Sequence, residues 1–105
     1  MTTESDLEEV KQLCELCNNC SLAQSRTNIV FSDGVPNSKL MLIGEAPGYN
    51  EDKQGKPFVG KAGQLLDKIF ESVGLSRKEN IYICNTIKCR PPGNRDPLPE
   101  EKEAC

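Results

Sequence analysis

Lys39-Leu40-Met41-Leu42-Ile43-Gly44 and Ile81-Tyr82-Ile83-Cys84-Asn85-Thr86-Ile87, with a helical stretch between them, decide the fold class. The first is a short unbroken apolar run bounded by turn residues, the pattern of a buried strand. The second is β-branched and aromatic enough to be a central strand. Between them Ala62, Leu65, Leu66, Ile69, Phe70 and Val73 recur at helical spacing. Gly74 closes that helix, being the residue best able to take the left-handed C-terminal conformation. Strand, helix and strand in this order make a right-handed parallel unit. The expected class is therefore α/β, a parallel βαβ core with flanking helices.

Working outward, Leu7, Val10, Leu13, Cys14 and Cys17 form an amphipathic stripe on a helix that starts near Ser5 and ends at Asn18-Asn19. Residues 27–31 read as a short extended piece running into a turn over 32–37. Residues 45–60, with three glycines and two prolines, read as a loop too long to be a mere connector. Pro97-Leu98-Pro99-Glu100-Glu101 opens a last helix, with proline in its first turn and acids at its positive end. The whole, residues 1–105, is expected to be a single domain. Two parallel strands would leave a sheet edge open, so the chain reads as the front half of a larger α/β domain.

With 36% apolar residues and five aromatics, the core must be aliphatic and modest. No stretch has the roughly 20 apolar residues of a membrane span, and the opening residues are acidic where a signal peptide is basic. A cytoplasmic protein with no membrane partner is expected. The net charge of −3 hides a segregation: residues 53–95 carry nine Lys and Arg against three acids, and the remainder four against thirteen. Either this is a solvated surface, or it is a basic face for a phosphate backbone with the acidic ends turned away.

The chain has six cysteines and no histidine. That excludes histidine-based catalysis and every zinc site needing imidazole, leaving all-thiolate zinc or an iron–sulfur cluster as the metal options. Cys14 falls on the helical stripe and Cys84 inside the second strand, where cysteine packs as a small hydrophobe. Cys17, Cys20, Cys89 and Cys105 fall at element ends or in loops, where the backbone can aim sulfur at a metal. The triple Cys14, Cys17, Cys20 also imitates a ferredoxin run, without the fourth cysteine and proline that follow in one.

Gly44-Glu45-Ala46-Pro47-Gly48 leaves the carboxyl end of the first strand, where ligands sit in open parallel sheets. It is either a plain turn or a ligand loop with exposed amide donors. It is neither a dinucleotide fingerprint nor a P-loop. Phe58 is either a core anchor or a stacking platform for a base. Asn85 either ends a strand or presents its amide to a pyrimidine edge.

Taken together, Gly44-Glu45-Ala46-Pro47-Gly48, Pro57-Phe58-Val59-Gly60-Lys61-Ala62-Gly63, Tyr82-Ile83-Cys84-Asn85 and Lys88-Cys89-Arg90-Pro91-Pro92-Gly93-Asn94-Arg95 closely resemble the family 4 uracil-DNA glycosylases, the iron–sulfur branch of their superfamily. The resemblance covers residues 13–105. It implies a three-layer uracil-DNA glycosylase-like fold, here partial, and a structural [4Fe–4S] cluster on Cys17, Cys20, Cys89 and Cys105. The implied reaction is hydrolysis of the N-glycosidic bond of a flipped-out deoxyuridine in DNA, the start of base excision repair. Phe58 would stack on uracil and Asn85 would read its edge. Gly44, Ala46, Pro47 and Gly48 would hold uracil and sugar through the backbone, with Glu45 and Asn94 assisting attack by water. A monomer is expected.

The family also carries a later His-Pro-Ser motif, aimed at the uracil O2, and a loop that wedges into the minor groove; the 105 residues end before either. The expectation is a fragmentary member that loses most or all activity, since removing one such donor typically costs 10²- to 10³-fold. The competing readings are a non-catalytic iron–sulfur or zinc module that contacts DNA or protein, and a nucleotide-binding α/β fragment.

Overall fold

The structure is a computed structural model that describes residues 3–19 and 21–105, residues 3 and 4 by backbone only. In chain order the elements are α1 (Thr3–Glu15), α2 (Leu22–Ser25), β1 (Ser32–Gly34), β2 (Leu40–Gly44), α3 (Tyr49–Gln54), α4 (Lys61–Ser72), β3 (Ile81–Asn85), a 3-10 turn (Pro92–Asn94) and α5 (Pro99–Ala104). The sheet order is β1-β3-β2. β2 and β3 run parallel, Leu40 opposite Ile81 and Gly44 opposite Asn85, with α4 as the crossover between them. The expected βαβ core is therefore present, and the chain is mixed α/β.

β1 is an addition to that expectation. Ser32-Asp33-Gly34 reads as a turn in the sequence but pairs antiparallel with β3, Ser32 opposite Cys84 and Gly34 opposite Tyr82. Turn-forming residues are accepted in a strand here because an edge position needs only one side of its backbone paired. β3 thus has partners on both sides, and all five of its residues are buried. Ile81 and Ile83 pack with Phe70 of α4 in the larger core cluster, against which Leu42, Leu66 and Phe58 lean.

β2 departs from its expected burial. Leu40, Met41 and Ile43 are exposed on the two faces of this strand, whose outer edge pairs with no described residue. Leu65, Ile69 and Val73 of α4 are exposed as well. The apolar stripe of α1 is likewise not packed into the sheet core: Val10 and Leu13 are exposed and line a cavity described below. The long loop contains a helix that composition concealed, α3, ended by Gly55 in the left-handed region at φ 76°.

A smaller cluster, Leu22, Ile87 and Cys89 with Ile29 and Ala46 against it, lies at the carboxyl end of the sheet. No helix among the described residues is long and apolar enough to cross a membrane.

Candidate functional site

The parallel pair β2 and β3 ends at Gly44 and Asn85, side by side. Pairing continues past the strands: Thr86 N–H donates to Gly44 O at 3.0 Å and Ile87 N–H to Glu45 O at 3.0 Å. The first loop therefore leaves the sheet with its backbone fixed. Gly44 is required for what happens next, because a Cβ there would overlap both Asn85 Oδ1 and Phe58 Cζ. Its bare Cα lets the Asn85 amide and the Phe58 ring meet over one backbone position.

Phe58 arrives there in an unusual backbone state, φ 55°, which is sterically disfavoured for a large side chain. Two contacts hold it. Arg77 donates to Pro57 O at 2.6 Å and to Phe58 O, while its Nε donates to Asp67 Oδ1 at 2.8 Å and its Nη1 lies 3.3 Å from Asp33 Oδ2. Gly63, in the first turn of α4, lets that helix sit directly on the Phe58 carbonyl, where any Cβ would overlap it.

One carboxylate joins the two loops. Glu51 Oε1 accepts from Gly48 N–H at 3.1 Å, and its Oε2 accepts from Val59 N–H at 2.8 Å and Gly60 N–H at 2.7 Å. The neighbouring Asp52, buried, accepts from Thr27 and Asn28 N–H at 2.9 to 3.1 Å and ties α3 to the connector after α2.

These contacts shape a cavity of about 380 Å³. Gly44, Glu45, Ala46, Pro47, Gly48, Phe58, Asn85 and Asn94, all singled out from the sequence, line it together. Asn85 is buried, Phe58 half-buried, and Glu45 and Asn94 are exposed at the rim. Asn94 has φ 57° and accepts from Arg90 Nε at 2.7 Å, and the Arg90 guanidinium lies 5.3 Å from the centre of the Tyr49 ring. Sequence reading missed Glu51 and Arg77. The spacing Gly48-x-x-Glu51 carries the capping signal for the first, whereas nothing local marks Arg77.

The basic segment is partly spent inside the fold. Arg77 is paired with Asp33 and Asp67, and Lys88 Nζ donates to Phe31 O and Asn85 O. Arg95 forms a two-pronged pair with Glu101 at 2.7 and 2.9 Å. Glu101 also accepts from Leu98 N–H at 2.8 Å, capping α5. The Arg95 hydrogen bond, then the Leu98 amide, bring its carboxyl down to about 2 against the opposing effect of burial. That pair anchors the segment on which Asn94 and Cys105 sit.

A second cavity, about 400 Å³, lies on the α1 side of the smaller core cluster. Cys14, Cys17, Cys89 and Cys105 all line it. Cys20, the remaining expected ligand, lies outside the described residues. Cys14 corrects the sequence reading: it is half-buried on the cavity wall and not packed in the core, because α1 turns its stripe toward the cavity. Burial foremost, then the Cys105 thiol, push its thiol upward against Lys88, and Cys17 adds to the rise against Arg26. Cys84 is buried in β3 as expected.

Two cavity sulfurs have donors. Arg26 Nη1 donates to Cys89 Sγ at 2.9 Å and Lys88 N–H to Cys105 Sγ at 3.3 Å. Among the described residues no three cysteine, aspartate or glutamate side chains are close enough to hold one metal ion. Thiolates on separate irons of a cluster need not share one ion's coordination sphere. Sulfurs from three chain segments on one cavity wall, supplied with N–H donors, fit such a group.

The two cavities are linked through one core cluster. Ala46, on the first, packs against the Leu22, Ile87 and Cys89 cluster that backs the second.

The sequence profile of the uracil DNA glycosylase superfamily matches residues 31–105. The type-4 uracil-DNA glycosylase of Thermotoga maritima is 46% identical over 104 residues, covering 99% of this chain and 54% of that protein. The type-4 uracil-DNA glycosylase of Saccharolobus solfataricus is 52% identical over 90 residues, 85% of this chain and 41% of that protein. A type-5 uracil-DNA glycosylase from Pyrobaculum aerophilum is 34% identical over 86 residues, 69% of this chain and 38% of that protein. The chain spans about half the length of the curated relatives it matches.

Proposed function

We infer that this chain, which belongs to the uracil DNA glycosylase superfamily and is similar to its type-4 members, recognises uracil in DNA and serves its removal. The observation that carries the reading is the meeting of Gly44, Phe58 and Asn85 at the carboxyl end of the parallel strands. A slot with an aromatic face on one side and a buried amide at its end suits a flat pyrimidine.

The glycosidic carbon is shielded inside a duplex, so the nucleotide must swing out, at a cost of a few kcal/mol that pocket contacts return. Phe58 stacks on the extruded ring. The Asn85 amide donates to one uracil carbonyl and accepts from the ring N–H, a pattern cytosine does not offer. Backbone groups of Gly44, Ala46, Pro47 and Gly48 hold the base and sugar. Water, oriented by Glu45 and Asn94, attacks the sugar carbon as its bond to the ring nitrogen breaks; the electron pair leaves with uracil, and the proton that the water loses passes to the Glu45 carboxylate and on to solvent. The departing uracilate is stabilised by donors, with no strong acid required.

Cys17, Cys20, Cys89 and Cys105 hold a [4Fe–4S] cluster that pins the chain segments behind the pocket. Residues 1–105 belong to one uracil-DNA glycosylase-like domain of a monomeric, cytoplasmic protein with uracil-containing DNA as its partner.

The test is incubation of iron-reconstituted protein with oligonucleotides containing uracil or thymine, followed by alkali to cleave abasic sites and by a binding measurement. The expected results are binding that prefers the uracil strand and slow, uracil-dependent cleavage. Absence of any uracil dependence in both measurements overturns the reading. Preferential binding without cleavage assigns recognition to this chain and the chemistry elsewhere.

A further inference from the structure

The Arg26 side chain hydrogen-bonds to two of the chain segments lining the cysteine cavity at once. Its Nη1 donates to Cys89 Sγ at 2.9 Å, and its Nη2 donates to Cys17 O at 3.0 Å and Glu15 O at 3.4 Å. Cys17 and Cys89 are far apart in the chain, and the planar guanidinium fixes the distance between the atoms it binds. The root of the side chain is equally fixed. Arg26 N–H donates to Leu22 O at 3.0 Å, closing α2, and the next two amides donate to the buried Asp52 carboxylate.

We propose that Arg26 is a positioning residue for the sulfur-bound iron centre, setting the spacing of the Cys17 and Cys89 segments and placing a permanent positive charge on the Cys89 sulfur. The proposal rests on the cluster reading above. A thiolate-ligated cluster concentrates negative charge in a cavity whose apolar lining includes Val10, Leu13, Leu16 and Ile29. Hydrogen bonds to the ligand sulfurs draw off part of that charge and raise the reduction potential. Lys88 N–H, the donor to Cys105, belongs to the backbone and survives any substitution. Arg26 donates from its side chain, so a substitution can remove it.

Because Thr27 and Asn28 lead directly to Asp52, the same residue links the cluster to α3. That helix carries Glu51, which holds the uracil-pocket loops together. Loss of the centre would then loosen the pocket through this connector.

The experiment uses the full chain, reconstituted anaerobically with iron and sulfide, as wild type, Arg26→Gln and Arg26→Lys. Iron per chain, the rate of iron loss to a ferrous chelator, the iron–thiolate stretching bands in resonance Raman spectra and the reduction potential are measured. Arg26→Gln is expected to lose iron roughly tenfold faster, the lower end of what removal of a ligand's hydrogen-bond partner does to metal sites. Its potential moves to a more negative value and one iron–thiolate band shifts. Arg26→Lys, which keeps the charge without the fork, recovers part of the potential but little of the retention. Far-UV circular dichroism of the iron-free chains reports folding separately. A variant whose iron-free stability falls while its potential and Raman bands stay at wild-type values overturns the proposal, and so do unchanged iron-loss rates in both variants. Wild-type protein that binds no iron and sulfide sinks the cluster reading itself, and this proposal with it.

Discussion

Replacing Glu51 with alanine removes a side chain that ties the Gly48 loop to the Phe58 loop. Three backbone N–H groups, those of Gly48, Val59 and Gly60, lose their acceptor. Hydrogen bonds to a charged group contribute about 1.5–3 kcal/mol each when buried. Glu51 is half-buried, so water replaces part of what is lost. Counting one bond at full value and the other two heavily discounted gives roughly 2–4 kcal/mol of lost stability. For a domain of this size that lowers Tm by about 10–25 °C. Glu51→Gln, which keeps one acceptor oxygen, falls between wild type and alanine. Urea unfolding followed by circular dichroism measures the first quantity, and binding of a uracil oligonucleotide the second. Loss of uracil preference in Glu51→Ala at temperatures where it is still folded is expected, since Phe58 loses the neighbouring anchor. A midpoint within about 0.5 kcal/mol of wild type, the range of an uneventful surface change, would falsify this account of the loops.

Phe58→Ala should weaken binding to the uracil oligonucleotide by about 1–3 kcal/mol, the worth of one base–aromatic stack, which titration of a fluorescent oligonucleotide measures. Gly63→Ala places a methyl group on the Phe58 carbonyl; we expect destabilisation of about 1–3 kcal/mol from overpacking, visible as a lower urea midpoint. Glu101 binds its proton less readily folded than unfolded, so its contribution is present above pH about 4.5 and fades as pH falls toward about 2. Thermal melts across that window should show a steeper acid loss for wild type than for Glu101→Gln; parallel curves would remove the Arg95–Glu101 anchor from the account. Cys17→Ala should abolish broad absorbance near 400 nm in reconstituted protein while Cys14→Ala retains it, and the opposite pattern would reassign the ligand.

The βαβ core, the helix α4 with its glycine stop, and the loop that opens at Gly44 were legible because each is written in local periodicity: apolar runs for strands, three-and-four spacing for the helix, glycine at the exits. The residues grouped as a pocket were legible through the family resemblance, and they do line one cavity. Burial was not legible in the same way. The composition of Leu40, Met41 and Ile43 speaks for an interior strand, yet their exposure depends on what packs on the two faces of β2, which these residues do not record. β1 was hidden because its sequence carries turn residues and its pairing is supplied by β3, some fifty residues later.

Residue type and order thus determined the α/β class, the placement of the Gly44 to Gly48 loop at the end of a parallel strand, and the supply of thiols without imidazole. Only the tertiary structure decided that Cys14 joins the wall of the cysteine cavity, that Arg26 reaches Cys89, and that Arg77 and Glu51 hold Phe58 and its loop in place. The reason is range. A helix or strand is selected by neighbours a few positions away, whereas a guanidinium finds its acceptors wherever chain folding brings carbonyls and sulfurs together, and no local pattern records that meeting.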